Sequence, residues 1–336
     1  MSRWRGRADR GRTGRRVLAG MPLDEATQAF LDQVAAAGAP PIETLTAAQV
    51  RAGAPPAPTD AGPRMYHVEE VELAAGPGEK QFQLRLLRPS QSPAGILVYY
   101  HGGGWVLFDI DHYDKLGRVL AQATGWTVVL VNYRKAPESP YPAAVEDCWA
   151  ALNWVAENAT RIAGDAVPLA VAGDSAGGNL AAVIARRARD AGSPRLSQQI
   201  LIYPNTDYDV DAPAYLDPAN QQIVTRESII WFWQQYAPDT ARRTEPDAAP
   251  ARVREVTGLP SAVGVFAEFD VLRAEGEAYL ERLRAAGVPV QSRVFPGQMH
   301  GFFNMSGVLP GADAAIDYVV AAIRSAEPVP RIPKES

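Results

Sequence analysis

A serine set among small residues, Gly173-Asp174-Ser175-Ala176-Gly177, is the feature of this chain best suited to covalent chemistry. A serine hydroxyl becomes a nucleophile only when a neighbouring base takes its proton. The apolar run 169–172 precedes it, and an alanine-rich stretch opening with Gly178-Asn179-Leu180 follows, so Ser175 is expected at a strand-to-helix turn. Such a turn strains the serine backbone and tolerates only small neighbours, which Gly173, Ala176, Gly177 and Gly178 supply. It would also hold Ser175 over a helix N-terminus, where developing negative charge is favoured. A glycine-rich turn of this kind can cradle phosphate instead, but no lysine follows at phosphate-loop spacing.

The base must be a histidine, and of the four in the chain His67, His101 and His112 precede Ser175. In a strand–helix hydrolase the order is serine, acid, histidine, which leaves His300 in Gly297-Gln298-Met299-His300-Gly301-Phe302. The acid that orients the imidazole is expected at Asp270, just past the apolar run 263–267. Glu268 competes, but it lies nearer the strand, where it would support the loop. Asp174 is expected to point away from the triad and act around it. Backbone donors for an oxyanion are expected from His101-Gly102-Gly103-Gly104-Trp105, because glycines let N–H groups approach an anion unobstructed. The expected donors are the N–H groups of Gly102, Gly103 and Ala176. His101 would anchor that loop rather than act as a base. Trp105, with Leu272 and Phe303 beside the acid and the histidine, is a candidate for substrate contact.

The elements that must position these residues follow from periodicity. Val68, Val71 and Leu73 alternate before Gly76-Pro77-Gly78, and Phe82, Leu84 and Leu86 alternate after it, a hairpin signal. Short apolar runs at 96–100, 127–131, 169–171, 200–203, 263–267 and 288–295 alternate with amphipathic stretches at 112–123, 142–157, 177–191, 274–286 and 312–325. That alternation predicts an α/β fold with a mostly parallel sheet covered by helices on both faces. Between Tyr203 and Val263 the rhythm breaks: acidic turns at Asp207, Asp209 and Asp211 lead into an aromatic helix with Ile229, Ile230, Trp231, Phe232, Trp233 and Tyr236. An insertion of this length reads as a lid over the substrate site, against the plainer reading of a helix packed on the core. Ahead of the hairpin, Phe30, Leu31, Val34 and Ala35 share one helical face, and Leu45, Ala48 and Val50 mark a shorter element. The expected organisation is an arginine-rich disordered extension at 1–20, cap helices at 21–60, core at 61–203, a cap insertion at 204–257 and core at 258–336.

Composition bounds the remaining classes. The 336 residues are 47% hydrophobic and 21% charged, ordinary for a globular protein. No apolar run approaches the ~20 residues needed to span a bilayer, so no integral membrane segment is expected. The net charge of -5 hides an arm of about +6 over residues 1–20 and a body of about -11. Arginine and glycine cannot build a core, so the arm reads as a disordered extension or as sequence upstream of a start at Met21. No apolar segment of signal-peptide length follows Arg15-Arg16. The acidic body has no basic stripe interleaved with aromatics, which argues against nucleic-acid binding. Cys148 is the only cysteine, so no internal disulfide can form and a reducing cytoplasm is the simplest compartment. It lies on a helical pattern and reads as a buried structural thiol.

The motifs together resemble the hormone-sensitive lipase family of bacterial esterases, from Met21 onward. They are His101-Gly102-Gly103-Gly104, Gly173-Asp174-Ser175-Ala176-Gly177-Gly178-Asn179, Asn132-Tyr133-Arg134 with Ala136-Pro137-Glu138, Tyr141-Pro142-Ala143-Ala144-Val145-Glu146-Asp147, Glu268-Phe269-Asp270 with Leu272-Arg273, and His300-Gly301-Phe302. The resemblance implies the α/β-hydrolase fold, a cap built from the N-terminal helices and the 204–257 insertion, and hydrolysis of short- to medium-chain acyl esters. It implies the same three oxyanion donors. The chain departs from the family pattern at Lys135, where leucine is usual, and at Val271, where proline is usual. The expected partner is a small-molecule ester, with no metal or organic cofactor; a homodimer stays open. Amides, lactones or carbamates remain rival substrates, since the triad does not choose the leaving group. A ligand receptor on the same fold is the distant rival, and the presence of His300 argues against it.

Overall fold

The computed structural model describes residues 22–76, 78–164 and 167–325. The arginine-rich arm at 1–20 and the start at Met21 lie outside the described residues. An eight-stranded sheet runs through the molecule in the order β1-β2-β4-β3-β5-β6-β7-β8. Its strands are β1 (His67–Ala74), β2 (Gln81–Arg88), β3 (Ile96–Tyr100), β4 (Thr127–Asn132), β5 (Leu169–Asp174), β6 (Gln198–Ile202), β7 (Ser261–Phe269) and β8 (Val290–Met299). The hairpin β1–β2 and the β2–β4 pair are antiparallel; every other pairing is parallel. Each apolar run read from the sequence is a strand. β3 is buried along its whole length, as a parallel strand covered on both faces must be.

Helices α3 (Ile110–Thr124) and α10 (Pro310–Arg324) cover one face of the sheet. The opposite face carries α4 (Ala143–Glu157), the short α5 (Ala159–Ala163), α6 (Ala176–Ala191) and α9 (Arg273–Ala285). Local chemistry sets their ends. Asp109 caps α3 by accepting from the N–H groups of Asp111 and His112, and Gly125 ends it in the left-handed conformation. Cys148 is fully buried inside α4.

The segment between β6 and β7 holds the short α7 (Pro213–Leu216) and the aromatic α8 (Arg226–Tyr236), with 3₁₀ turns around them. Thr225 and Ser228 close a capping box at the start of α8. Upstream of the sheet, α1 (Glu25–Ala37) and α2 (Ala47–Gly53) flank a 3₁₀ turn at Ile42–Thr44. Asp24 caps α1 and ties it to the other end of the chain, through Gln298 and through its own N–H to Gly297 O at 3.1 Å. Along α1, Phe30 and Leu31 pack on the core while Val34 stays exposed, so the expected apolar face is narrower than its sequence suggests. Trp231 of α8 donates its indole N–H to Leu45 O at 3.1 Å, joining the two appended segments above the carboxyl ends of the strands. Among the described residues no helix is long and apolar enough to cross a membrane.

Candidate active site

Strand order places the site. β3 leads out to β4 on one side, and the chain then crosses back to β5 on the other, so the strand order reverses between β3 and β5. Loops leaving the carboxyl ends of two strands that diverge in this way open a crevice. Tyr100 pairs with Gly173 in register, so residues 101–104 leave the sheet beside Asp174 and Ser175. At the other edge Phe269 pairs with Met299, so Asp270 and His300 emerge side by side although 30 residues separate them. Two register relations thus gather four loops.

Ser175 sits at φ 56°, a left-handed conformation that costs a non-glycine residue on the order of 1–3 kcal/mol. The surroundings hold it there. Its N–H donates to Ile202 O at 2.8 Å, and its carbonyl accepts from Asn179 N–H at 3.0 Å and Asn205 N–H at 3.2 Å. The small neighbours are obligatory: a Cβ added to Gly177 would stand 1.9 Å from Tyr100 O.

His300 Nε2 lies 2.9 Å from Ser175 Oγ, and its Nδ1 lies 2.7 Å from Asp270 Oδ2. Asp270 is 1% exposed and His300 5%, so solvent competes little for these bonds. A carboxylate only accepts, so Nδ1 carries the proton and Nε2 is left to accept from the serine hydroxyl. The second oxygen of Asp270 accepts the N–H of Leu272 at 2.9 Å, which fixes the carboxylate plane. The ring of Tyr203 packs against His300 at 4.6 Å. Glu268 accepts the N–H of Gly297 at 2.9 Å, the loop-supporting place expected for it.

Three sequence expectations need correction. The N–H of Gly102 faces Tyr113 Oη at 3.0 Å and Asp174 Oδ1 at 3.1 Å, so it is engaged inside the protein and cannot serve an oxyanion. The N–H groups of Gly103, Gly104 and Ala176 donate to no group among the described residues, and all three residues line the cavity over Ser175. Gly104 therefore stands where Gly102 was expected. Leu272 is fully buried in the core and contributes its backbone to Asp270 rather than a side chain to the cavity. Phe303 is also fully buried, because the turn Phe302–Asn304 directs both phenyl rings into the core and leaves Asn304 and Met305 at the cavity.

Trp105 does line the cavity, stacked on Tyr236 with ring centroids 4.1 Å apart. His101 is an anchor, as expected. Its ring stacks on Tyr133 at 4.3 Å, and Nδ1 donates to Gly102 O at 2.7 Å. Burial pushes its pKa down to about 3, so the ring is neutral.

The cavity encloses about 330 Å³ between the core loops and the appended segments. Ile42 comes from the N-terminal segment, and Ile223, Val224, Ile229 and Phe232 come from the insertion around α8. The same helix packs Trp233 and Tyr236 into the core, so it lies on the fold and walls the cavity at once.

Two networks were not legible from the motifs. Asp174 accepts from Tyr99 Oη at 2.9 Å, Gly102 N–H at 3.1 Å, Tyr113 Oη at 2.8 Å and Asn304 Nδ2 at 3.1 Å. It thereby ties the nucleophile turn to the glycine loop and to the loop after His300. Burial pushes its carboxyl above the ordinary range, against the hydrogen bonds from Tyr113, Tyr99 and Asn304. On the other side, Asn205 accepts from the indole of Trp233 at 2.9 Å and donates to Glu275 at 2.8 Å. Glu275 also accepts from Thr206 N–H at 2.7 Å and Tyr215 Oη at 2.8 Å, and burial pushes its pKa up to about 8. That chain links Ser175, the insertion and α9.

Residues 97–304 match the model of a family described as having the alpha/beta hydrolase fold. Carboxylesterase NlhH of Mycobacterium tuberculosis is 44% identical over 234 residues, 69% of this chain and 73% of that protein. An ethyl acetate hydrolase of Pseudomonas putida is 37% identical over 248 residues, 72% of this chain and 77% of that protein. Among solved structures, a thermostable esterase from Pseudomonas putida superposes with a TM-score of 0.83 at 35% identity, covering 93% of this chain and 100% of that one. An esterase from Pyrobaculum calidifontis gives 0.83 at 34% identity, covering 91% and 99%.

Proposed function

From the premise that the chain belongs to the α/β-hydrolase family that includes the hormone-sensitive-lipase-like esterases, we propose that it is a serine carboxylesterase acting on short- to medium-chain acyl esters. The observation that carries this reading is the buried line Asp270–His300–Ser175, with its 2.7 and 2.9 Å contacts. In the proposed reaction His300 Nε2 takes the proton of Ser175 as Oγ attacks the ester carbonyl. The resulting oxyanion lies among the N–H groups of Gly103, Gly104 and Ala176, and Asp270 stabilises the imidazolium. His300 then protonates the leaving alkoxide, the acyl group stays on Ser175, and water activated by His300 releases the acid. The N-terminal segment and the insertion around α8 serve as the cap, since both wall the cavity. Its about 330 Å³ is at the small end of the ~300–1,000 Å³ typical of ligand pockets, which favours short acyl groups over long ones.

A p-nitrophenyl ester series from acetate to laurate tests the reading. Activity should peak at short to medium chains, and absence of turnover on every member would overturn it. Ser175→Ala should abolish turnover while the circular dichroism spectrum stays unchanged; activity near wild type would mean that another nucleophile operates.

A further inference from the structure

A second cavity, of about 820 Å³, lies behind the glycine loop, between the N-terminal segment and the loop after β4. Its charged lining is unevenly neutralised. Arg51 is held by both oxygens of Glu138, at 2.7 and 2.8 Å, and by Val106 O and Ala136 O. Arg134 is held by Asp147 and Glu79, and His112 by Asp109 at 2.7 Å. Among the described residues Lys80 and Lys135 of this lining pair with no carboxylate, but Lys80 is exposed to solvent while Lys135 is half-buried. The Lys135 ammonium donates to two neutral acceptors, Asn132 Oδ1 at 2.7 Å and Tyr133 O at 3.4 Å. An ammonium has three donors, so one remains for a ligand in a setting where an unpaired charge is costly.

The rest of the wall selects among anions. Pro55, Pro56 and Phe108 offer apolar surface, and the lining sets the acids Glu72, Asp109 and Glu138 against the cations Arg51, Lys80, Arg134 and Lys135. An anion with an alkyl tail uses that apolar surface, and inorganic phosphate does not. Position matters as well. Val106 and Phe108 line this cavity, and Leu107 and Phe108 line the one over Ser175. The N–H groups of Val106 and Leu107 both donate to Gly103 O, at 3.1 and 2.8 Å. The partition between the cavities is thus the continuation of the glycine loop.

We propose that the second cavity binds a monocarboxylate with a short alkyl tail, its head group on Lys135 Nζ and its tail on Pro55, Pro56 and Phe108, the last of which belongs to the partition. This ligand class rests on the esterase reading, since a carboxylate is what ester hydrolysis releases; the binding itself requires no turnover. An acid product held there bears on the loop that carries Gly103 and Gly104 and slows the reaction from outside the catalytic cavity.

The test is titration of the full chain with sodium hexanoate at pH 7 by calorimetry, comparing wild type with Lys135→Leu and Lys135→Arg. Thermal unfolding of each variant checks that the fold is kept. Wild type and Lys135→Arg should bind one more hexanoate than Lys135→Leu, whose affinity for that second molecule should fall at least tenfold. In kinetics with p-nitrophenyl butyrate, hexanoate should lower kcat and raise KM in wild type, but only raise KM in Lys135→Leu. Equal stoichiometry in wild type and Lys135→Leu would overturn the proposal. Displacement of the second hexanoate by an equal concentration of inorganic phosphate would overturn the choice of a monocarboxylate. Failure of the esterase reading would show separately, as absence of turnover with the calorimetric difference intact.

Discussion

Replacing Asp270 by Asn should disable the base while leaving the fold in place, and the hydrogen bonds fix how large the loss is. One carboxylate oxygen accepts the rigid N–H of Leu272 at 2.9 Å; the other faces His300 Nδ1 at 2.7 Å. An asparagine has one oxygen and one NH₂ to fill these two places. Putting NH₂ toward Leu272 would set donor against donor, at about 1–3 kcal/mol for a buried unsatisfied group. The amide therefore turns its oxygen to Leu272 and its NH₂ to His300. Nδ1 must then accept, the proton moves to Nε2, and Nε2–H points at Ser175 Oγ, where a base is required. Restoring the working tautomer costs roughly a factor of 10–100 by that penalty. Losing the charge-assisted bond to the imidazolium, about 1.5–3 kcal/mol, costs about as much again. Together these give a fall in kcat of ~10²–10⁴, whose upper end matches the ~10⁴ for the same exchange in another triad enzyme. The assay is kcat and KM on p-nitrophenyl butyrate, with urea unfolding to confirm the fold. A loss below tenfold in a folded variant would refute this account of the triad.

Asp174→Ala would leave the hydroxyls of Tyr99 and Tyr113 without an acceptor and loosen the glycine loop; urea unfolding should show a loss of about 2–5 kcal/mol, and kcat should fall at least tenfold. Wild-type kcat in this variant would show that the network does not position the loop. Gly104→Ala places a Cβ 2.1 Å from the Phe232 ring at a backbone φ of 60°, so kcat/KM should drop at least tenfold, with about 1–3 kcal/mol lost in stability. Unchanged kinetics would show that Phe232 yields freely. His101 has a folded pKa of about 3 against an ordinary 6.5, so below pH 6.5 the unfolded chain takes up a proton that the folded chain refuses. Its contribution is full above pH 6.5 and is lost as pH falls toward 3, at about 1.4 kcal/mol per pH unit. Urea unfolding between pH 4.5 and 7 should be steeper in pH by about one proton for wild type than for His101→Asn; equal slopes would refute the assignment.

What the sequence by itself determined is what depends on local pattern and order. Apolar runs alternating with amphipathic stretches specify the parallel sheet, because a strand covered on both faces has to be apolar throughout. Small residues around Ser175, the order Ser175, Asp270, His300, and the placement of each after a strand were all readable, since a strained turn and a loop leaving a strand have local signatures. Only the tertiary structure decided which polar groups remain free. Gly102 and Gly104 are the same residue type in one run of glycines. One N–H is consumed by Asp174 and Tyr113, 72 and 11 residues away, and the other faces the cavity. Leu272 and Phe303 were placed in the pocket because they neighbour catalytic candidates, yet packing turned both side chains into the core. Asp174 with Asn304, and Glu275 with Asn205 and Trp233, join segments from 28 to 130 residues apart. Hydrogen-bond satisfaction is settled among all groups that folding brings together, and nothing in the spacing of neighbours along the chain records it.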